Sequence, residues 1–380
     1  MSDENLQKMP FDLLCDRAGL NLRDYQLKSV QAVENAVISG RQNILLAMST
    51  GTGKTRTILG MIYRFLKSGR FRRILFLVYR NSLGEQAQDV FKEVKLENLM
   101  TLEQIYNVKK LDDRIFEKET RIQVATVQSM VKQILYNEDN VQLSVTDYDL
   151  IIIDEAHRGY ILDKEISTDE ENIFLSQQDY QSKYRSVIEY FDAVRIALTA
   201  TPALHTTQIF GAPIFKYSYR EAVIDGYLVD HDAPHILKTK LSVEGIHYKQ
   251  GDTIAIYDPA TGEITNSELL EDELNFDVEN FNRQIVNENF NRVVLEEIAK
   301  DIDPDALGKT LIYAVDDKHA DLIVKILKEV YSAKGASTES VMKITGSIDD
   351  KRRINDAIRR FKNERYPNIV VTVDLLTYRH

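Results

Sequence analysis

Residues 43–57 read NILLAMSTGTGKTRT and contain three successive patterns. An apolar run of strand length, Ile44 to Met48, leads into a loop of Gly, Ser and Thr at 49–53. From Lys54 onward the apolar residues recur at helical spacing, and Gly69 ends the pattern. A buried strand that passes through a glycine loop into a helix N-terminus presents backbone N–H groups to an anion. This stretch therefore predicts a phosphate site within an α/β fold.

The loop and the first helical turn are the predicted nucleotide contacts. Gly51 and Gly53 would let the backbone turn its N–H groups inward, Lys54 would reach the β- and γ-phosphates, and the Thr55 hydroxyl would coordinate Mg²⁺. A Gly-Lys-Thr sequence can also be an ordinary helix start, but the preceding strand and following helix favour nucleotide binding. The contacts predicted from the loop and this first turn are Ser49, Thr50, Gly51, Thr52, Gly53, Lys54, Thr55 and Arg56.

An acidic pair follows a second apolar run, LIII at 150–153. We expect Asp154 to hold Mg²⁺, directly or through water, because Mg²⁺ takes oxygen ligands and keeps several waters. Glu155 would orient or deprotonate an attacking water. Taken alone, two acids at a strand end more often solvate a loop. Their position after a dry strand, downstream of a phosphate loop, favours the catalytic interpretation.

His157 follows the acids closely and allows two interpretations. A lone histidine is more often a structural residue than a catalyst. Its proximity to the acids suggests a relay that senses nucleotide and hydrogen bonds toward Thr199 or Thr201.

The wider pattern predicts a parallel, doubly wound sheet, since strand-like runs alternate with helical patterns. The predicted strands of the first part cover 44–48, 73–79, 122–126, 148–154 and 195–199. In such sheets ligands bind at the carboxyl ends of the strands. Lys54, Asp154 and Thr199 all lie just past strand ends, so one cleft could gather them. A second α/β part with three strands follows residue 301.

Composition indicates where in the cell the protein is expected, but it does not identify a binding partner. The net charge is −11, from 48 basic and 59 acidic residues, and it does not indicate nucleic-acid binding. Local basic patches remain compatible with this total. No apolar run reaches the length of a membrane span. The start of the chain is polar and acidic rather than a secretory signal, and Cys15 is the single cysteine. We therefore expect a cytoplasmic protein without membrane contact.

Eight motifs follow one another along the chain: LRDYQ (22–26), MSTGTGKT (48–55), FLVYRNSL (76–83), VATVQSM (124–130), DEAHR (154–158), LTATP (198–202), LIYAVDDKHAD (311–321) and IVVTVDLLT (369–377). This ordered series resembles the superfamily 2 helicases and translocases, and within them the motor (R) subunit of type I restriction enzymes. Met48, ahead of Thr50-Gly51-Thr52-Gly53-Lys54-Thr55, matches the loop usual in that subunit. The segments 210–231 and 273–286 also resemble that subunit.

The resemblance implies an ATP-hydrolysing motor with ATP and Mg²⁺ as cofactors. Lys54, Asp154, Glu155 and His157 would then be the catalytic residues. Gln26 would read the adenine edge, aided by Arg23. Contacts to DNA and the coupling of hydrolysis to movement would come from Arg80, Asn81, Thr126, Gln128, Thr199, Thr201 and Thr377.

The resemblance also implies tandem RecA-like parallel sheets with helices on both faces. The expected division is a lead-in (1–20), an ATP-binding domain (21–225), a linker or insert with a β-hairpin and a helix (226–300), and an incomplete second domain (301–380). Double-stranded DNA and the methyltransferase and specificity subunits of a restriction complex would be the partners.

Two departures from the family pattern lead to further expectations. The metal-dependent nuclease has no room before Leu22, so we expect no DNA cleavage by this chain itself. The motif that supplies an arginine finger does not follow Thr377, so we expect weak ATP turnover, since such fingers are worth about 10³–10⁵ in rate.

Two alternative functions stay open: another superfamily 2 helicase acting in repair or on RNA, and a nucleotide-binding fragment without turnover.

Overall fold

The computed structural model describes most of the chain in two compact units, Met1–His231 and Asp232–His380. The finer predicted division at 20, 225 and 300 stays a prediction. The described residues are 2–17, 19–79, 81–109, 119–136, 143–157, 177–249, 251, 255–257, 264–266, 274–276, 288–346 and 351–373.

The first unit alternates strands with helices. Its strands are β1 (Asn43–Met48), β2 (Ile74–Val78), β3 (Val108–Lys109), β4 (Ile122–Thr126), β5 (Leu150–Ile153), β6 (Val194–Thr199) and β7 (Phe215–Tyr217). Its α-helices are α1 (Ser2–Lys8), α2 (Asp12–Cys15), α3 (Asp24–Ile38), α4 (Lys54–Ser68), α5 (Asn81–Glu93), α6 (Leu102–Ile105), α7 (Val127–Val131), α8 (Gln177–Tyr190), α9 (Leu204–Phe210) and α10 (Tyr219–Ile224). A 3₁₀ turn spans Glu97–Leu99, and a π-helix spans Lys132–Tyr136.

All seven strands form one parallel sheet in the order β3-β4-β2-β5-β6-β1-β7. The predicted parallel α/β architecture is confirmed. The short edge strands β3 and β7 were not predicted, because two or three residues give too little periodicity to recognise. Helix α7 ends at Val131, and the chain continues directly into the π-helix.

The sheet is buried on both faces. Along its inner strands, the residues that face one side and those that face the other are both apolar. In β1, Ile44 and Leu46 pack into one core, and Leu45 packs into the core on the opposite face. Helices α3, α4 and α5 cover the first face, whereas α7 and α8 cover the second. Parallel sheets need this double cover, which explains why these strands appear in the sequence as continuous apolar runs.

Strands β5, β6 and β1 are neighbours in this sheet. Register pairs Leu46 with Leu198 and Ile153 with Ala197, so the three carboxyl ends lie side by side. The loops that follow these strands begin at Ser49, Asp154 and Ala200. The topology therefore places three of the predicted motifs along one edge of the sheet.

The second unit contains a smaller parallel sheet. Strands β12 (Thr310–Tyr313), β14 (Ile369–Thr372) and β13 (Val341–Lys343) form it in that order, with helices α12 (Glu288–Asp301) and α13 (Asp317–Ala333) on one face and α14 (Lys351–Asn363) on the other. Helix α11 (Lys240–Glu244) precedes two short antiparallel pairs, β8 (Ile246–Tyr248) with β11 (Leu274–Phe276) and β9 (Ala255–Tyr257) with β10 (Ile264–Asn266). None of the helices within the described residues is both long and apolar enough to cross a membrane.

A buried arginine fastens the first residues of the chain to the main sheet. Arg64 in α4 is 1% exposed and pairs with Glu34 in α3 at 2.5 Å. The same guanidinium donates to the carbonyls of Leu6, Met9 and Pro10, and the chain continues over its face with the ring of Phe11. Residues 2–15 are therefore held by a single side chain as well as by apolar packing.

Loss of this arginine should unfold the unit readily. We expect Arg64→Gln to lower the free energy of unfolding by about 3–5 kcal/mol, because Glu34 and three carbonyls would lose a buried cation. Denaturant unfolding measures the change. Arg185→Gln is the matched control, since its pair with Glu189 is exposed, and it should cost at most about 1 kcal/mol. Equal losses in the two variants would contradict this account.

A half-buried histidine sets a pH dependence in the second unit. His319 accepts a hydrogen bond at Nδ1 from the Val315 N–H, and its Nε2–H donates to Asn291 Oδ1. Both bonds suit the neutral ring. Burial lowers the pKa of His319, and the nearby Asp316 only partly opposes that effect.

The unfolded chain therefore binds a proton at His319 more readily than the folded chain does. Stability from this group is complete above about pH 6.5 and is lost as the pH falls below that value. We expect wild-type protein to lose more unfolding free energy than His319→Gln between about pH 7.5 and pH 5.5. An NMR titration that gave His319 a pKa of 6.5 or higher would contradict the prediction.

Candidate nucleotide site

The phosphate loop occupies residues 49–53, between the end of β1 and the start of α4. Gly51 and Gly53 have φ angles of +81° and +78°, which are accessible to glycine at little cost. Thr52 closes the turn, because its hydroxyl donates to the Ser49 carbonyl at 2.6 Å. The backbone thus takes the left-handed turns that the two glycines predicted.

Gln26 in α3 is the main support of this loop. Its amide nitrogen donates to the carbonyls of Thr52 at 3.2 Å and Gly53 at 3.1 Å, and its Oε1 accepts from the Arg23 N–H at 2.8 Å. A Cβ on Gly53 would lie 2.6 Å from the Gln26 amide nitrogen, so the loop can approach this closely only with glycine. The structure thus places the Gln26 amide group in hydrogen bonds to the backbone of the loop.

Lys54 faces the acidic pair directly. Its Nζ lies 3.1 Å from Glu155 Oε1, and the two side chains are 7% and 8% exposed. Thr55 next to it is partly buried and Arg56 is exposed. The predicted phosphate ligand and the predicted general base are therefore partners in one buried ion pair.

Glu155 reaches this position at a conformational cost. Its φ angle is +49°, in the left-handed region that a residue with a side chain adopts rarely. The carboxylate of Asp154 accepts the Glu155 N–H at 2.9 Å and helps to hold that conformation. Strain of this kind persists where the surroundings fix it, often at functional sites.

The carboxyl group of Asp154 has a raised pKa. Burial raises its pKa to about 6, the charge of Glu155 adds to the rise, and Lys54 and the Glu155 N–H act against it. A carboxylate whose charge is disfavoured in this way gains from a nearby cation. The described residues contain no cluster of three or more His, Cys, Asp or Glu that could hold a metal alone. Phosphate oxygens and water would have to complete the ligands of an ion at Asp154 and Thr55.

His157 connects the acids to the neighbouring strand. Its Nδ1 lies 2.8 Å from Thr199 Oγ1 and 3.4 Å from Glu155 Oε2. Thr199 is fully buried, and its Oγ1 also accepts the Thr201 N–H at 3.2 Å. A continuous polar chain thus runs from Lys54 through Glu155 and His157 to the end of β6.

The residues predicted to contact DNA are less well placed. The Thr126 hydroxyl accepts the Ser129 N–H and acts as the N-cap of α7, and Gln128 is 7% exposed, with its Oε1 unpaired among the described residues. The side chain of Asn81 is not described. Arg80 and Thr377 lie outside the described residues.

An aromatic cluster beside the loop was not predicted. The rings of Tyr25 and Tyr217 stack with centroids 3.9 Å apart, and the Tyr25 hydroxyl donates to the Thr52 carbonyl at 2.8 Å. Met48 belongs to the same buried cluster, and the Tyr227 ring lies 5.2 Å from that of Tyr25. The signal in the sequence is the recurrence of tyrosine at 217, 219 and 227, which spacing alone could not connect to Tyr25.

Comparisons with known proteins agree with this architecture. The profile of the family described as "Type III restriction enzyme, res subunit" matches residues 19–204. The endonuclease subunit of the type I restriction enzyme EcoKI from Escherichia coli K12 is 49% identical over 94% of this chain. The chain spans 30% of the length of that subunit.

Solved structures support the fold at lower identity. A fragment of a type I restriction enzyme HsdR subunit from Vibrio vulnificus YJ016 matches 93% of this chain and 54% of its own, with a TM-score of 0.54 and 20% identity. The type ISP restriction-modification enzyme LlaBIII, solved bound to DNA, matches 94% of this chain and 25% of its own, with a TM-score of 0.55 and 16% identity. Over nearly its whole length the chain is thus homologous to part of the endonuclease subunit of type I restriction enzymes.

Proposed function

We propose that this chain binds and hydrolyses ATP to move along double-stranded DNA as part of a type I restriction system. The observation that carries the proposal is the buried Lys54–Glu155 pair at the mouth of the phosphate loop. A lysine and a general base that meet at the carboxyl ends of two parallel strands, here β1 and β5 on either side of β6, are typical of a phosphoryl-transfer site. The kinship with restriction endonuclease subunits supports the DNA partner.

The pair suggests how nucleotide binding starts the reaction. The triphosphate would replace Glu155 as the partner of Lys54, and the freed Glu155 carboxylate would accept a proton from water. That water attacks the γ-phosphorus, the bond from the γ-phosphorus to the β,γ-bridging oxygen breaks, and ADP and phosphate leave. Lys54 stabilises the charge that spreads over the γ-phosphoryl oxygens.

Mg²⁺ would be held by the Thr55 hydroxyl and the Asp154 carboxylate, which is the hard-oxygen donor set this ion prefers. When bound, it would neutralise charge on the β- and γ-phosphates. The raised pKa of Asp154 supports this assignment, since a cation would favour the ionised form of a buried carboxyl.

The proposed DNA and protein partners are inferred from the similarity to restriction enzymes. The chain would move along duplex DNA, and methyltransferase and specificity subunits would be its partners in a cytoplasmic complex. Arg80, Asn81 and Thr377 remain candidates for DNA contact. Thr126 and Gln128 are weaker candidates, because one caps a helix and the other is buried.

Substitutions at the ion pair should separate binding from chemistry. We expect Lys54→Ala to abolish ATP binding, and Glu155→Gln to keep binding but slow hydrolysis by about 10²–10⁴-fold, the usual contribution of a general base. Equilibrium binding and phosphate release measure the two effects. Glu189→Gln, on the exposed face of α8, is the control and should leave both unchanged.

The nucleic acid distinguishes the competing functions. Stimulation of hydrolysis by duplex DNA above that by RNA supports the proposal, whereas equal stimulation favours a helicase that works elsewhere. ATP binding with no turnover under any condition would favour a nucleotide-dependent binding module. Full hydrolysis by Glu155→Gln would rule out the assigned base.

The contact between His157 and Thr199 should couple hydrolysis to DNA. We expect Thr199→Val to retain ATP binding but to reduce the stimulation by DNA about 5- to 150-fold, the range of typical coupling energies. Thr199→Ser keeps the hydroxyl and should retain the stimulation. The comparison of rates with and without duplex DNA tests this, and normal stimulation of the valine variant would contradict it.

A further inference from the structure

The peptide group between Thr52 and Gly53 in the phosphate loop is oriented by side chains outside the loop. The Thr52 carbonyl accepts the Tyr25 hydroxyl at 2.8 Å and the Gln26 amide at 3.2 Å. The C=O and N–H bonds of a planar trans peptide point in opposite directions. The hydrogen bonds that hold this carbonyl toward Tyr25 therefore turn the Gly53 N–H away from Tyr25.

Tyr25 is held in turn by a ring from strand β7. The rings of Tyr25 and Tyr217 are nearly parallel, with an angle of 9° between their planes and centroids 3.9 Å apart. Both side chains are buried. Because the hydroxyl is rigidly attached to its ring, the stacking that fixes the Tyr25 ring also fixes the direction in which its hydroxyl donates.

Tyr217 is anchored both at its backbone and at its hydroxyl. Strand β7 pairs it with Met48, the residue of β1 that precedes the loop. The Tyr217 hydroxyl donates to Asp225 Oδ2 at 2.7 Å, and the Asp225 N–H donates to the Glu221 carbonyl of α10 at 2.9 Å. The Tyr217 ring therefore cannot rotate away from Tyr25 without losing its hydrogen bond to Asp225.

The two stacked tyrosines and the buried ion pair lie on opposite sides of β1. Tyr217 belongs to β7, which flanks β1 on one side, whereas Glu155 follows β5, which lies beyond β6 on the other side. A phosphate that replaced Glu155 as the partner of Lys54 would approach from the β6 side, away from the tyrosines. It would meet the side of the loop to which the Gly53 N–H is turned.

We propose that Tyr217 is a positioning residue for phosphate binding, and that it acts through Tyr25 to aim the Gly53 N–H at the phosphate. Backbone N–H groups at a helix N-terminus bind anions well only when they point at the ligand. The device serves the phosphates and not the base, so its loss weakens every ligand that carries the triphosphate by the same factor. This inference rests on the proposed function, since it requires the loop to bind phosphate.

Binding of a ligand without a base tests the inference. Inorganic tripolyphosphate and ATP, each with Mg²⁺, are titrated into the wild-type chain and its variants. Tyr217→Leu removes the stacked ring but keeps apolar bulk, and it should weaken both ligands equally, by about 2- to 12-fold, the range for loss of an aromatic pair. Tyr217→Phe keeps the ring and should restore both affinities.

A double-mutant cycle tests whether Tyr217 acts through Tyr25. Tyr25→Phe keeps the ring but removes the hydroxyl from the Thr52 carbonyl, so it should weaken tripolyphosphate and ATP as Tyr217→Leu does. The double variant should bind no more weakly than either single variant, because both changes release the same peptide group. In NMR spectra, the amide signal of Gly53 should shift when tripolyphosphate binds to wild type, and the shift should be smaller in Tyr25→Phe.

Tyr148→Leu is the matched control, since it also removes a buried tyrosine from an aromatic pair. Tyr148 contacts Phe191 at 5.0 Å and precedes β5, at the edge of the sheet opposite the loop. This variant should leave both affinities unchanged. Circular dichroism at the temperature of the titrations shows that each variant is folded, and Tyr25→Phe alone decides the question if Tyr217→Leu does not fold.

Other outcomes overturn one proposal or the other. Wild-type affinity in Tyr25→Phe, a loss of ATP without a loss of tripolyphosphate, or additive losses in the double variant would each overturn the positioning role. An equal loss in Tyr148→Leu would do the same, because it would reveal a general effect of destabilisation. Failure of the wild-type chain to bind both ATP and tripolyphosphate would instead overturn the proposed function of the loop.

Discussion

The ion pair of Lys54 and Glu155 is the interaction on which the candidate site depends. Burying two charges is expensive, and the cost is recovered only when each has a close partner in good geometry. Both side chains here are less than 10% exposed, and they lie 3.1 Å apart. The carboxylate thereby holds the lysine at the loop, where the proposed function requires it.

The sheet explains why these two residues meet. Lys54 follows β1 and Glu155 follows β5, and β6 lies between those strands with buried Thr199 at its end. The polar chain from Lys54 to Thr199 crosses all three strand ends. The proposed displacement of Glu155 by a nucleotide would therefore change the surroundings of His157, which contacts the end of β6 at Thr199.

Much of this arrangement could be predicted from local signals. Apolar runs such as LIII at 150–153 indicate buried strands, and Gly51 and Gly53 indicate positive φ angles because other residues avoid them. The left-handed conformation of Glu155 could not be predicted, because it follows from the pull of Lys54 and Asp154 rather than from its own preference. The stacking of Tyr25 on Tyr217 and the enclosure of Arg64 depend on residues far apart in sequence, which periodicity does not pair. At Thr126 the local signal was ambiguous, because a threonine before a helix can be either an N-cap or a DNA contact. The structure shows the N-cap.

The path by which the chain leaves the first unit has a mechanical consequence. Strand β7 pairs with β1, the Tyr217 carbonyl accepts the Ser49 N–H, and Leu228 rests on Gly51. The first unit ends at His231, only three residues beyond Leu228. The backbone of the loop is therefore fixed from outside by β7 and the segment that follows it, so a change in residues 217–228 would be transmitted to residues 49–51.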